Sequence, residues 1–342
     1  MTIRCSVVGG SGYTGGELLR LLVAHPQAEI AQVSSRSLAG NPVSRTHPNL
    51  RGYVAHNFVR PEEIEACDVV FLCMPHGEAS RQIDRWRAVA PLVVDLSADF
   101  RIKDPDAYQR WYGEAHPNVN ALDGAVYGLP EITRGQLPGA RLISGVGCNA
   151  TAMNLALLPL ARAGLIKRVI ADIKVGSSEA GAEASAGSHH PVRARTARTY
   201  SPFGHRHLAE VEQAFGAIDI DATITAIDMV RGVLCTAHVE PTRPVEQKEL
   251  WKIYRGAYSD EPFVRIVAER SGANRFPDPR VLVGSNHADV GFAVDERSGR
   301  IVALSAIDNL VKGAAGSAIQ AMNVALGFDE TQGLNFPGLH PA

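Results

Sequence analysis

The sequence lacks paired cysteines, long apolar runs and an excess of either charge, and each absence removes a class of protein. Its five cysteines, Cys5, Cys67, Cys73, Cys148 and Cys235, are odd in number, scattered over 342 residues and form no C-x-x-C pair. A disulfide framework, a structural zinc site or any other bound metal is therefore not expected, and a reducing cytoplasm is the default compartment. No stretch approaches the roughly 18 to 20 apolar residues that span a bilayer. The opening residues run straight into a glycine turn without a charged leader and apolar core, so no signal peptide is expected. Lys and Arg number 34 against 36 Asp and Glu, for a net charge of -2, which gives no bulk attraction for nucleic acid or an anionic membrane.

The first half of the chain alternates short apolar runs with amphipathic stretches, as βαβ units do. Ile3–Val8, Ile30–Ser34, Val69–Met74 and Leu92–Leu96 read as strands. Glu17–Ala24 reads as a helix with Leu18, Leu19, Leu21 and Leu22 inward. The second half carries longer β-rich runs at Ile170–Gly176, Ala222–Val230, Gly232–Glu240, Asp289–Val294 and Ile301–Ala306, which suggests a mixed sheet. Ser177–His207, rich in small and basic residues, shows no period and reads as a long irregular, functional segment. Gly313–Leu326 reads as a final helix. The expectation is an α/β chain with a Rossmann-type nucleotide domain, 1–147 with 310–342, and a second α+β domain, 148–309, holding catalysis and oligomer contacts.

Gly9-Gly-Ser-Gly12-Tyr-Thr-Gly15 lies between a strand and a helix. Glycines let a backbone approach a pyrophosphate, and the helix start offers free N–H groups and a favourable dipole. Gly9, Ser11, Gly12, Tyr13, Thr14 and Gly15 are therefore expected to hold a dinucleotide, although the spacing is G-x-x-G-x-x-G. The second strand ends without the carboxylate that grips the ribose hydroxyls of NAD. Ser35, Arg36 and Ser37 stand there instead, which suits the 2′-phosphate of NADP(H). Met74-Pro-His-Gly77, after a later strand, is placed to border the nicotinamide half.

Gly145-Val-Gly-Cys148-Asn puts a cysteine at the expected start of an apolar helix, Ala150–Leu158, with Pro159 expected to kink or end it. A thiolate at a helix N-terminus is stabilised by the dipole and by unpaired N–H groups, which can also hold an oxyanion. Cys148 is the candidate nucleophile, and the other cysteines read as small buried hydrophobes. His205 and His207, with Glu210 nearby at i+3 or i+5, form the acid–base candidates. The residues do not choose between the two histidines. A cysteine hydrolase and a non-catalytic nucleotide-binding protein remain as rival classes.

At these residues the chain resembles the N-acetyl-γ-glutamyl-phosphate reductases of arginine synthesis and, more distantly, the aspartate-semialdehyde dehydrogenases. The likeness runs over nearly the whole length. Its markers are the glycine turn, Asp95-Leu-Ser-Ala-Asp99-Phe-Arg101, Tyr127-Gly-Leu-Pro-Glu131, Gly147-Cys148, Gly204-His-Arg-His207 and Ala306-Ile-Asp-Asn309-Leu-Val-Lys-Gly313. The resemblance implies reduction of an acyl phosphate to a semialdehyde through a Cys148 thioester. It also implies that Asn309 and the Gly313 turn complete the cofactor site, and that the protein forms a homo-oligomer.

The chain departs from the arginine-pathway pattern after the cysteine, where Asn149 and Ala150 replace an aromatic residue and a proline. With Ser188-His-His-Pro-Val-Arg193-Ala-Arg195-Thr-Ala-Arg198 and the ending Asn335-Phe-Pro-Gly-Leu-His-Pro341, it is similar to the branch that reduces L-2-aminoadipate 6-phosphate in lysine synthesis. There the substrate rides on a small acidic amino-group carrier protein, and carrier-bound glutamyl phosphate is a second substrate of some members. Three arginines in one segment of a near-neutral chain suit an acidic protein partner. Asn149, Arg193, Arg195, Arg198 and Arg231 are accordingly expected to contact substrate. Free N-acetylglutamyl phosphate is the alternative.

Overall fold

The computed structural model describes residues 2–340 and divides into two compact units. One comprises the chain up to Val146 with Ala314–Asn335, the other Gly147–Gly313 with the tail from Phe336. The first unit holds a parallel six-stranded sheet of β1 (Ile3–Val8), β2 (Ala28–Val33), β3 (Val69–Leu72), β4 (Leu92–Asp95), β5 (Ala125–Tyr127) and β6 (Leu142–Ser144), in the order β2-β1-β3-β4-β6-β5. β3 and β4 are buried at every residue, because a parallel sheet is covered on both faces; this is why they read as unbroken apolar runs.

Helix α1 (Tyr13–Val23) begins four residues earlier than its periodicity suggests. Its first turn contains Gly15 and Gly16, poor helix formers that the packing requires. A Cβ on Gly15 would stand 2.7 Å from the Cα of Gly10, and one on Gly16 would stand 2.4 Å from the His47 ring. Leu18, Leu19, Leu21 and Leu22 form its buried face. Helix α2 (Glu78–Val89) sends Ile83 and Trp86 into the core, and α3 (Pro105–Tyr112) starts on an Asp104 cap, whose Oδ1 accepts the Asp106 N–H at 3.0 Å.

In the second unit, α4 (Cys148–Arg162) is buried from Asn149 to Leu160, as a helix apolar on all sides must be. It packs on a mixed sheet, the class expected from the β-rich runs. The strands are β7 (Ile166–Val175), β8 (Ala197–Ser201), β9 (Asp219–Ile227), β10 (Val233–Pro241), β11 (Val264–Ile266), β12 (Ala288–Val294) and β13 (Ile301–Ile307), ordered β11-β12-β13-β10-β7-β9-β8. β7 with β9 and β11 with β12 are the parallel pairs. Val169, Ala171, Ile173 and Val175 alternate inward along β7. Helices α5 (Leu208–Phe215) and α6 (Gln247–Tyr258) pack beside α4.

Three local expectations are corrected. Helix α4 does not end at Pro159 but runs three residues beyond it. The missing Pro159 N–H leaves the Leu155 carbonyl without its helical donor, and the Tyr258 hydroxyl donates to that oxygen at 2.6 Å. Tyr254 does the same for the Ala156 carbonyl at 2.7 Å. The segment 177–207 is not irregular throughout, because β8 pairs antiparallel with β9 at the edge of the sheet. The strand escaped notice because four of its five residues are exposed, which erases the alternation. The last helix, α7 (Gly316–Leu326), is preceded by a π-helical turn, Val311–Ala315, in which the Gly313 N–H donates to the Asp308 carbonyl at 3.0 Å.

Candidate active site

The glycine turn of the first unit is shaped by contacts that leave no room for side chains. Gly9 has φ of 75°, and a Cβ there would stand 2.3 Å from the Cys73 carbonyl oxygen; a Cβ on Gly10 would stand 2.3 Å from Val33 Cγ1. Gly12 caps α1 without any side-chain bond, and nothing lies within 4 Å of its missing Cβ. The helix has no acidic residue in its first turn. Its first N–H groups therefore face an open, positively polarised end, which fits the pyrophosphate of a dinucleotide. Ser11 and Ser35 join hydroxyls at 3.0 Å beside it. Arg36, exposed, forms a two-bond ion pair with Glu78 at the start of α2. Sequence reading missed His47, whose Nε2 lies 2.7 Å from the Gly10 carbonyl and fixes the turn from below.

The Asp95–Arg101 motif pins strand ends in the same unit. Asp99 accepts the N–H groups of Gly77 and Ser80 at 2.6 and 2.8 Å and meets His76 Nδ1 at 2.9 Å. Burial alone would raise its carboxyl, but those bonds overcome it and hold Asp99 at about 2. Asp95, buried and facing the Asp99 charge, is pushed up to about 7.

In the second unit Cys148 is the first residue of α4, with Gly147 as its cap and no side-chain cap bond. The sulfur thus sits over the positive end of a buried helix. Two glycines make room around it. A Cβ on Gly313 would stand 2.7 Å from Cys148 Cβ, and one on Gly147 would stand 2.4 Å from Glu210 Oε1 and 2.7 Å from His207 Nε2. Glu210, 1% exposed, accepts the Gly147 N–H through Oε2 at 2.8 Å. The carboxylate expected to orient a histidine thus grips the residue before the nucleophile.

The two histidines differ. His207 is buried against Gly147, whereas His205 lines a cavity of about 400 Å3 together with Glu179, Arg193, Arg198, Tyr200 and Arg206. The rings meet edge to face at 4.6 Å. His205 Nδ1 accepts the His207 backbone N–H at 3.3 Å, which leaves the neutral ring's proton on Nε2. Burial, and then the Arg206 charge, lower His205 to about 4.

Asn149 is wholly buried, with its Oδ1 3.8 Å from Cys148 Sγ and its Nδ2 donating to Glu179 Oε1 at 2.9 Å. Arg193 donates to the Val175 carbonyl at 2.9 Å and Arg198 to the Gly187 carbonyl at 3.1 Å, so both are fixed around the cavity. Arg195 is exposed, and its φ of 55° marks a left-handed turn. Arg231 is held by the buried Asp308, with Nε 2.9 Å from Oδ2 and Nη2 3.1 Å from Oδ1. Asn309 is 3% exposed; its amide bonds Ser178 and accepts the Gly232 N–H at 2.8 Å, which ties three loops together. Sequence reading missed Glu179 and Tyr200. Nothing in Ser177-Ser-Glu179-Ala-Gly181 separates a buried carboxyl from an ordinary loop acid.

These features have counterparts among known proteins. Residues 4–140 match the family model described as the NAD binding domain of semialdehyde dehydrogenase, and residues 148–309 match that of its dimerisation domain. A protein of Thermomicrobium roseum, provisionally named LysW-L-2-aminoadipate 6-phosphate reductase, is 52% identical with full coverage of both chains. The Deinococcus radiodurans LysW-L-2-aminoadipate 6-phosphate reductase is 49% identical over 98% of this chain and 97% of that one. Among solved structures, aspartate semialdehyde dehydrogenase II of Vibrio cholerae shares the fold at a TM-score of 0.73 and 16% identity, covering 95% of this chain and 98% of its own. The chain belongs to the semialdehyde dehydrogenase family and is an NAD(P)-dependent oxidoreductase.

Proposed function

We propose that this protein reduces a carrier-linked L-2-aminoadipate 6-phosphate to the semialdehyde with NADPH, in lysine synthesis, through a thioester on Cys148. One observation carries the chemistry: the only cysteine that opens a helix in the described residues is Cys148, and His207 and Glu210 close on the glycine before it. In this reading the Cys148 thiolate attacks the acyl carbonyl, the carbon–oxygen bond to phosphate breaks, and phosphate departs with the electron pair. N–H groups at the α4 N-terminus hold the developing oxyanion. Gly9, Ser11, Gly12, Tyr13, Thr14 and Gly15 would hold the dinucleotide, with Ser35, Arg36 and Ser37 at the 2′-phosphate, and the nucleotide, when bound, would supply the hydride that reduces the thioester. The resulting hemithioacetal collapses, sulfur leaves, and the aldehyde is freed.

His207, packed on Gly147, is the group that takes and returns protons at this centre. His205, neutral across the physiological range, presents Nε2–H to the substrate in the cavity. Arg193, Arg198 and Arg206 give the cavity a basic character that suits an acidic carrier, and Arg195 is exposed between the first two in sequence. The naming of the D. radiodurans relative supports the same substrate, and the family's dimerisation domain supports a homodimer. We assign residues 1–147 with 310–342 to cofactor binding, 148–309 to catalysis and subunit contact, and the protein to the cytoplasm. Among the described residues no helix is long and apolar enough to cross a membrane.

The test is loss of nicotinamide absorbance with purified enzyme and carrier-linked aminoadipyl phosphate, beside free N-acetylglutamyl phosphate. The carrier-linked compound is expected to react with at least a tenfold higher kcat/KM. A preference for the free compound overturns the substrate assignment and leaves the thioester route standing.

A further inference from the structure

Glu179 lies one hydrogen bond from a residue that faces the nucleophile. Its Oε1 accepts the Asn149 Nδ2–H at 2.9 Å and stands 3.4 Å from the Tyr200 hydroxyl. Its Oε2 is buried and has no hydrogen-bond partner among the described residues. A carboxylate can only accept, so it dictates which end of the Asn149 amide it meets. The nitrogen turns to Glu179, and the oxygen is thereby turned to the sulfur, where it lies 3.8 Å from Sγ. Asn149 is fully buried, so no water competes for either end of the amide.

An amide oxygen beside sulfur accepts from S–H and repels S⁻, whereas an amide nitrogen would do the reverse. We infer that Glu179 is a positioning residue: it locks the Asn149 carboxamide with Oδ1 toward Cys148 and keeps the resting nucleophile in its thiol form. This rests on the reading of Cys148 as nucleophile. The lock opposes the helix N-terminus, which favours thiolate, and the balance protects the sulfur from adventitious electrophiles until substrate fills the site. The charged and titratable groups around the pair include Tyr200 on β8, Arg193, Arg198 and Arg206 along the cavity, His205, and His207 with Glu210 on the side of Gly147. Burial raises the Glu179 carboxyl, and the bonds from Asn149 and Tyr200 oppose that rise.

The experiment is the pH dependence of Cys148 alkylation by iodoacetamide in the full chain without substrate, read by peptide mass. The thiols of Cys5, Cys73 and Cys235 are pushed up to about 12 by burial and stay silent at lower pH. Glu179→Ala frees the amide to turn its nitrogen to sulfur. The alkylation midpoint is expected to fall by about one pH unit, a roughly tenfold faster reaction below the midpoint. Glu179→Gln keeps an oxygen that accepts from Asn149, so it is expected to shift the midpoint by the lost charge alone and by less than the alanine. In an Asn149→Ala background the two Glu179 variants are expected to coincide. Equal shifts from alanine and glutamine with Asn149 present, or no shift from either, overturn the inference. Failure of the underlying reading looks different: fully alkylated enzyme would retain turnover.

Discussion

Two histidines two residues apart carry different burdens, and their surroundings separate them. His205 is lowered to about 4 by burial and Arg206, so at neutral pH only about one ring in a thousand is an imidazolium. A group so rarely charged is a poor proton store but a good neutral donor from Nε2. His207, packed against the glycine before Cys148, is left with the proton transfer. His207→Asn should lower kcat by about 10²-fold or more with little change in KM, and His205→Asn should raise KM with a smaller effect on kcat. Steady-state kinetics of the two variants check this, and the reverse split would exchange the roles. The sequence named both residues and Cys148 because short motifs hold them. It gave no way to rank the histidines, since the groups that separate them, Gly147 beside His207 and Val175 and Glu179 in the cavity with His205, lie far from the motif in sequence.

Helix α4 places the nucleophile, and its integrity past Pro159 depends on α6. The tyrosine hydroxyls of α6 reach the carbonyls of Leu155 and Ala156 at 2.6 and 2.7 Å. Removing the Tyr258 hydroxyl leaves a buried carbonyl unpaired, at a cost of about 1 to 3 kcal/mol. Tyr258→Phe should therefore lower stability by that amount in denaturant unfolding. Pro159→Ala should restore much of it, because the new N–H can donate to Leu155. A Tyr258→Phe protein as stable as the parent, or one not rescued by the alanine, contradicts the account. Periodicity could find the start of α4 but not this repair, because the donors lie about 100 residues away on another helix. The same distance effect hid β8, a strand defined by its partner β9 rather than by its own pattern.

Across the molecule, what was legible followed from burial. Parallel strands covered on both faces, β3 and β4 above all, appear as apolar runs, whereas the three-residue strands β5 and β6 were too short to read. The longer β-rich runs of the second half announced a mixed sheet, and burial alternates along β7, β9 and β10 because one face of that sheet is packed. Less legible were the polar ties: Asp308 holding Arg231, Asn309 holding Ser178 and Gly232, and Glu179 holding Asn149. Each joins loops distant in sequence, and each involves a residue type that is usually solvated. The chain leaves the first unit after Val146 and returns at Ala314, and Gly313, just before the return, packs against Cys148. Gly147 and Gly313, the two ends of that stretch of chain, thus both border Cys148.

That sulfur carries the whole account, and intact-protein mass spectrometry tests it directly. Mixed with the acyl phosphate substrate in the absence of reduced nucleotide, the protein should gain the mass of one acyl group. Peptide mapping should place it on Cys148, and NADPH should discharge it as aldehyde; the Cys148→Ala protein should gain nothing. An unmodified Cys148 in enzyme that turns over normally once NADPH is supplied would contradict the thioester route.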